Sequence, residues 1–117
     1  MRATARNYAD LVVWQRAVDL TLATYALTAV WPREEVFGLT AQARRAAVSI
    51  ATNIAEGQGR RSDREFQRFL NISHGSLREL ETCVVISERL EYGSADKRSE
   101  VMQLAGEGAS WTGSPRL

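Results

Sequence analysis

The spacing of apolar residues across residues 62–90 constrains the fold more than any other feature of the chain. The segment SDRE at residues 62–65 is a capping box, in which the serine and the glutamate satisfy each other's free backbone N–H groups. The pattern predicts a helix, a rod of roughly 40 Å, whose apolar face needs other helices to cover it. Its core stripe, at steps of three and four, comprises Phe66, Phe69, Leu70, Ser73, Leu77, Leu80, Val84 and Ser87.

A first helix is predicted upstream, between Asp10 and Pro32. The side chain of Asp10 can cap the helix, and Pro32 stops it because the residue before a proline avoids helical geometry. Its predicted apolar stripe comprises Leu11, Trp14, Val18, Leu22, Tyr25 and Ala29.

A second, alanine-rich helix is predicted over residues 36–56, with Gly57 and Gly59 marking its exit. Its small side chains favour close approach of neighbouring helices, and its wide apolar arc indicates more than one packing partner. The centre of the arc comprises Leu39, Ala43, Ala46, Ile50 and Ile54, and its edges comprise Ala47, Val48, Ala51 and Ala55. The opposite side is a polar stripe of Gln42, Arg45, Ser49, Thr52, Asn53 and Glu56.

A fourth helix is predicted after Gly93, with Ser94 as its cap, a start near Ala95, and apolar residues at Val101, Met102 and Leu104. The pattern then fades into glycine and proline, which disfavour helix. No pair of strands is predicted. We therefore expect an all-α, up-down four-helix bundle with a short or irregular fourth helix. The 117 residues are typical of one domain, 1–117, with a flexible arm at 1–9 and an irregular tail at 106–117.

The net charge of +1 conceals an uneven distribution. Residues 42–70 carry six arginines and three acids, whereas residues 79–100 carry six acids and three bases. Such asymmetry can produce a basic face that attracts phosphate. The single cysteine, Cys83, excludes an internal disulfide, and from the sequence we expect neither a signal peptide nor a transmembrane helix. These features favour a soluble cytoplasmic protein.

The sequence offers no arrangement of residues that would build a metal site or a nucleophilic catalytic site. His74 is the only histidine, and Asn71 stands three positions before it, so no Glu-x-x-His metal pair can form. Ser73 and Ser76 lie too close to His74 along a helix to face it. The segment GQGR at residues 57–60 lacks the Gly-Lys-Ser/Thr ending of a phosphate loop. We expect no catalytic residue, no metal and no cofactor.

Two clusters are candidate sites. Arg60, Arg61, Arg64 and Arg68 could contact a phosphate backbone at the start of the third helix, with Arg44 and Arg45 as weaker candidates. The alternative is a solvated face paired with Asp63 and Glu65. The second cluster lies within the polar stripe and could form a subunit interface or channel; the alternative is that this side faces water. Its candidate residues are Gln42, Arg45, Ser49, Asn53 and Glu56.

Several segments of the chain, spanning residues 8–92, resemble the 23S rRNA intervening-sequence protein family of bacteria. They are LVVWQRA at 11–17, FGLT at 37–40, RRAAVSI at 44–50, NIAEG at 53–57 and GSLRELE at 75–81. The resemblance implies an up-down four-helix bundle that assembles as a ring-shaped homopentamer, with no established catalytic residues. A related branch, the accessory protein of diversity-generating retroelements, binds nucleic acid and a reverse transcriptase. The sequence differs from the family pattern at its end: the family has a long fourth helix, whereas this chain is rich in glycine after Leu104.

From the residues and the resemblance together, we expect a non-enzymatic homo-oligomer, most simply a pentamer, that acts as an RNA- or DNA-binding accessory protein. Its partners would be other copies of the chain, RNA or DNA, and a protein; a membrane is not expected. The alternative is a protein-interaction scaffold ring without affinity for nucleic acid. An enzyme is the least favoured class, because general acid–base groups in a pocket are missing.

Overall fold

The computed structural model describes residues 8–111, without the side chains at positions 109 and 111, and consists of helices. A 3-10 turn at Tyr8–Asp10 precedes α1 (Val12–Thr28), and a second at Arg33–Glu35 precedes α2 (Leu39–Gln58). The chain continues through α3 (Asp63–Arg89) and α4 (Ala95–Trp111), and no strand occurs between residues 8 and 111. Short connections make successive helices antiparallel, and α4 packs against both α3 and α1. The predicted all-α four-helix bundle is confirmed.

The closest packing in the bundle lies between α2 and α3, where the side chains are small. Gly57 is buried in the last turn of α2, and a Cβ atom there would lie 2.6 Å from the Cβ of Phe69. One turn further in, the buried hydroxyl of Ser73 donates to the carbonyl oxygen of Ile50 at 3.0 Å. Gly57 therefore belongs to α2 rather than marking its exit. The predicted centre of the α2 arc is confirmed, since Leu39, Ala43, Ala46, Ile50 and Ile54 are all buried.

The predicted start and core stripe of α3 are also confirmed. Ser62 Oγ accepts a hydrogen bond from the backbone N–H of Glu65 at 3.1 Å, as a helix cap does. Phe66 is half-buried, and the other stripe residues are buried: Phe69, Leu70, Ser73, Leu77, Leu80, Val84 and Ser87. Cys83 is buried beside this stripe, and desolvation, with a smaller contribution from the Glu79 carboxylate, raises the pKa of its thiol.

The predicted stripe of α1 is only partly correct: Leu11, Trp14 and Val18 pack against the core, but the second half of the stripe is wrong. The helix buries Ala17, Leu20, Ala23, Thr24, Leu27 and Thr28 instead. Leu22 is 64% exposed, and Tyr25 and Ala29 are exposed as well. Apolar residues occur on every side of α1, so their spacing does not single out one face. Threonine can also be buried in this helix because its hydroxyl bonds to the backbone: Thr24 Oγ1 donates to the Leu20 carbonyl oxygen at 2.8 Å. The N-cap residue of α1 is Leu11 rather than the predicted Asp10, which ends the preceding 3-10 turn.

The fourth helix is neither short nor irregular over the described residues. It begins as predicted, with Ser94 Oγ accepting from the backbone N–H of Lys97 at 3.1 Å, and it continues to Trp111. Gly108 explains the difference, because it is buried and a Cβ there would lie 2.8 Å from Leu77 Cδ2. Close packing against Leu77 thus favours glycine at position 108, despite the low helix propensity of glycine. The predicted irregular tail is wrong for residues 106–111, and positions 112–117 lie outside the described residues.

At the end of the bundle opposite the α2–α3 turn, the carboxylate of Glu35 connects two segments of the chain. Its Oε1 accepts from the backbone N–H of Leu39 at 2.9 Å and so caps α2, while its Oε2 accepts from the Tyr92 hydroxyl at 3.0 Å. This second bond raises the pKa of Tyr92. One side chain therefore links the α1–α2 connection to the α3–α4 connection. Residues 1–7 of the predicted arm lie outside the described residues, and Tyr8 and Ala9 belong to the first 3-10 turn.

None of the described helices has the length and apolar character needed to cross a membrane.

We predict opposite effects on stability from alanine at two glycines. Gly57→Ala should lower the free energy of unfolding by about 1–3 kcal/mol, because the new methyl group forces α2 away from Phe69. Gly106→Ala is the matched control: Gly106 is exposed in α4 with open space around it, so alanine should stabilise by about 0.5–1 kcal/mol. Urea denaturation measures both, and a neutral Gly57→Ala variant would contradict the close contact.

Candidate nucleic-acid interface

The α2–α3 turn gathers four exposed arginines at one end of the bundle. Arg60 and Arg61 lie in the turn, and Arg64 and Arg68 lie in the first two turns of α3. The Ser62 cap starts α3 directly after the turn, which keeps these side chains close in space. We call Arg60, Arg61, Arg64 and Arg68 the basic turn.

The ring of Phe69 orients two members of the basic turn. The guanidinium carbon Cζ of Arg60 lies 4.8 Å from the ring centroid, and that of Arg68 lies 5.0 Å from it. Such cation–π contacts contribute about 0.5–1 kcal/mol each at exposed sites. Because both guanidinium groups touch one ring, they lie within about 10 Å of each other. Phe69 itself is buried against Gly57, so the close packing of α2 on α3 also fixes this ring.

The charges of the basic turn are only partly neutralised. Arg60 Nη2 lies 3.8 Å from Glu56 Oε2, and this exposed ion pair contributes little to stability. Arg61, Arg64 and Arg68 form no ion pair with any residue between positions 8 and 111. The N-terminal end of α3, which carries positive helix-dipole charge, lies between them. The local arrangement is therefore suited to binding an anion.

Arg44 and Arg45 do not join the basic turn. Arg44 Nε donates to Thr28 Oγ1 at 2.8 Å, and Arg44 Cζ lies 4.4 Å from the centroid of the Tyr25 ring. The Arg44 side chain therefore links α2 to α1. Arg45 is exposed on another side of α2 and lies about 20 Å along the helix axis from the turn. The six arginines predicted as phosphate contacts are thus divided among three places, and only the basic turn forms a cluster.

The polar stripe of α2 divides into two parts. Ser49 Oγ lies 2.9 Å from Ser76 Oγ of α3, and Asn53 Nδ2 donates to Ser49 Oγ at 3.1 Å and to the Ser49 carbonyl at 2.9 Å. These half-buried groups connect the two helices. The outer part, namely Gln42, Arg45, Thr52 and Glu56, is exposed in the single chain.

An apolar patch missed by the sequence analysis borders the polar stripe. Phe37 is 94% exposed, and it lines a shallow depression together with Ile86, Leu90, Gln42 and Arg45. Phe37 lies in the α1–α2 connection and Ile86 in α3, so their proximity depends on the fold. An aromatic residue before the first turn of α2 was the only available signal. We call Phe37, Ile86 and Leu90 the Phe37 patch.

Between residues 8 and 111, no three histidine, cysteine, aspartate or glutamate side chains come together as a metal site requires. His74 is half-buried on α3, away from the basic turn by more than a helical turn.

We predict that Arg44 contributes to stability and not to phosphate binding. Arg44→Ala should lower the free energy of unfolding by about 1–2 kcal/mol, because it removes a charge-assisted hydrogen bond and a cation–π contact. Arg33→Ala, at an exposed position outside the α-helices, should change it by less than about 0.5 kcal/mol. Equal effects in urea denaturation would contradict the structural role of Arg44.

Comparison with protein families agrees with this architecture. The family model described as the 23S rRNA-intervening sequence protein matches residues 9–110, which include α1, α2, α3 and all of α4 except its last residue. A search of curated proteins gave no match. The matched region covers most of the 117 residues, and the chain belongs to the 23S rRNA-intervening sequence protein family.

Proposed function

We propose that the chain is a non-enzymatic accessory protein that binds RNA or DNA through the phosphate contacts of the basic turn. The observation that carries the proposal is the clustering of four exposed arginines at the start of α3, two of them oriented by one aromatic ring. Arginine binds phosphate through two parallel hydrogen bonds, and a helix N-terminus favours anions. The family name refers to an intervening sequence in 23S rRNA, which is consistent with RNA as the ligand.

The charge distribution also supports a defined binding orientation. At the end of the bundle opposite the basic turn, exposed acids and exposed bases are mixed: Glu34, Glu88, Glu91 and Asp96 with Arg33, Arg89 and Lys97. A polyanion is therefore attracted more strongly to the α2–α3 turn than to that end. Binding of this kind tolerates different sequences and weakens steeply with salt, because each neutralised phosphate releases counterions.

We predict that the paired substitution Arg61→Ala and Arg64→Ala weakens binding of a labelled structured RNA, measured by fluorescence anisotropy at two salt concentrations. The slope of log affinity against log salt should become shallower by about 1.5–2, as expected for two lost phosphate contacts. The charge-matched control changes Arg33 and Arg89, both exposed and both outside the basic turn, to alanine and should keep most of the slope. Equal losses in both variants would contradict a localised site.

Self-association forms the second part of the proposal. The outer polar stripe and the Phe37 patch lie side by side on the α2–α3 face, so an apolar centre there is flanked by groups that can form hydrogen bonds. Interfaces between subunits commonly have this composition. We propose that copies of the chain meet on this face, and the family resemblance favours a pentameric ring.

We predict that changing Phe37 and Ile86 to serine shifts the chain toward the monomer in sedimentation equilibrium. Leu22→Ser is the control, because Leu22 is 64% exposed on α1, away from the α2–α3 face. An intact oligomer in the Phe37 and Ile86 variant would place the subunit contact elsewhere, and a monomeric wild-type chain would reject self-association.

A scaffold ring without affinity for nucleic acid is the second candidate. The observation that favours it is a set of exposed apolar residues on and just after α1, namely Val12, Leu22 and Val30, which lie outside the proposed subunit contact. Exposed apolar surface of this kind suits a protein partner. An intact oligomer that binds no RNA at low salt would select this candidate.

A further inference from the structure

The outward side of the first half of α3 carries a mixed set of side chains that differs from a simple phosphate-binding surface. Arg64, Gln67, Arg68 and Asn71 are spaced by three and four residues, so they share one side of the helix, and all four are exposed. Cationic side chains bind phosphate by displacing counterions from the nucleic acid, and the neutral amides of Gln67 and Asn71 displace no counterions. Arginine, glutamine and asparagine are, however, the side chains that most often pair with base edges.

The two amides are coupled to each other in a specific way. Gln67 Nε2 donates a hydrogen bond to Asn71 Oδ1 at 3.1 Å. This bond leaves an acceptor, Gln67 Oε1, and a donor, Asn71 Nδ2, without a partner among residues 8–111. The pair therefore presents one acceptor and one donor on neighbouring turns of an exposed helix. The exposed edge of adenine offers the complement, an N6 amino donor beside the N7 acceptor.

We propose that α3 recognises an adenine edge, with Gln67 Oε1 accepting from N6 and Asn71 Nδ2 donating to N7. Arg64 and Arg68 lie on the same side of the helix and contact the adjacent phosphates. This inference rests on the proposed nucleic-acid function and adds base preference to it. Gly75, one turn beyond Asn71, has open space where a Cβ would lie, so the helix is accessible at that position.

Two sources of an accessible adenine edge fit the geometry. The major groove of B-form DNA is wide enough to admit an α-helix. Unpaired RNA bases also expose this edge, whereas the deep and narrow major groove of an A-form duplex does not admit side chains. The ligand is therefore an adenine in duplex DNA or an unpaired adenine in RNA.

The test measures anisotropy with two labelled probes, a short DNA duplex and a short unpaired RNA, each made with central adenines or with 7-deazaadenine in their place. The replacement removes the N7 acceptor and leaves charge and base pairing unchanged. Wild-type chain should bind the adenine form of one probe about tenfold more tightly than its 7-deazaadenine form. Asn71→Ala and Gln67→Ala should lose this preference without changing the salt dependence. Gln103→Ala, at an exposed position of α4, should retain it.

The outcomes separate the two proposals. A preference in the DNA probe or in the RNA probe supports the inference and identifies the source of the adenine. Equal affinity for the adenine and 7-deazaadenine forms, with binding still lost when Arg61 and Arg64 are changed to alanine, overturns base recognition and leaves the phosphate-binding proposal standing. Absence of binding to every probe at low salt overturns both.

Discussion

The close contact between α2 and α3 supports the rest of the molecule. A glycine at position 57 lets the backbone of α2 approach Phe69, and the Ser73 hydroxyl satisfies the Ile50 carbonyl across the same interface. Each buried polar group needs such a partner, and small residues are what allow the helices to reach it. The contact also determines where the α2–α3 turn projects. Because Phe69 is fixed by Gly57 on one side, its ring can orient Arg60 and Arg68 on the other.

Charge and helix direction act together along the bundle. The start of α3 combines helix-dipole charge with the basic turn, while the opposite end carries exposed carboxylates and the Glu35 link between two connections. The four arginines therefore make the α2–α3 turn the more favourable end for a phosphate backbone. The polar stripe lies between these ends on the α2–α3 face, so the surface proposed for self-association is separate from most of the basic turn. Assembly and nucleic-acid binding can then occur at the same time.

Helices with one clear apolar face could be predicted from the sequence, and helices shaped by their neighbours could not. The centre of the α2 arc and the stripe of α3 agree with the structure because polar residues delimit them, whereas Val48 at the edge of the arc is exposed. In α1, apolar residues occur on every side, so only packing decides that Leu20 is buried and Leu22 exposed. In α4, the contact between Gly108 and Leu77 overrides the low helix propensity of glycine. The candidate site shows the same division. The basic turn could be predicted because its residues are close in sequence, whereas the contacts of Arg44 with Thr28 and Tyr25 of α1 depend on the fold.

Hydrogen exchange of the backbone amides, measured with and without a structured RNA at low salt, tests the central claim most directly. Binding at the basic turn should slow exchange in the α2–α3 turn and the first half of α3, with no change in the connection between α3 and α4. Unchanged exchange throughout residues 57–71, or protection centred on the connection between α3 and α4, would contradict binding at the basic turn.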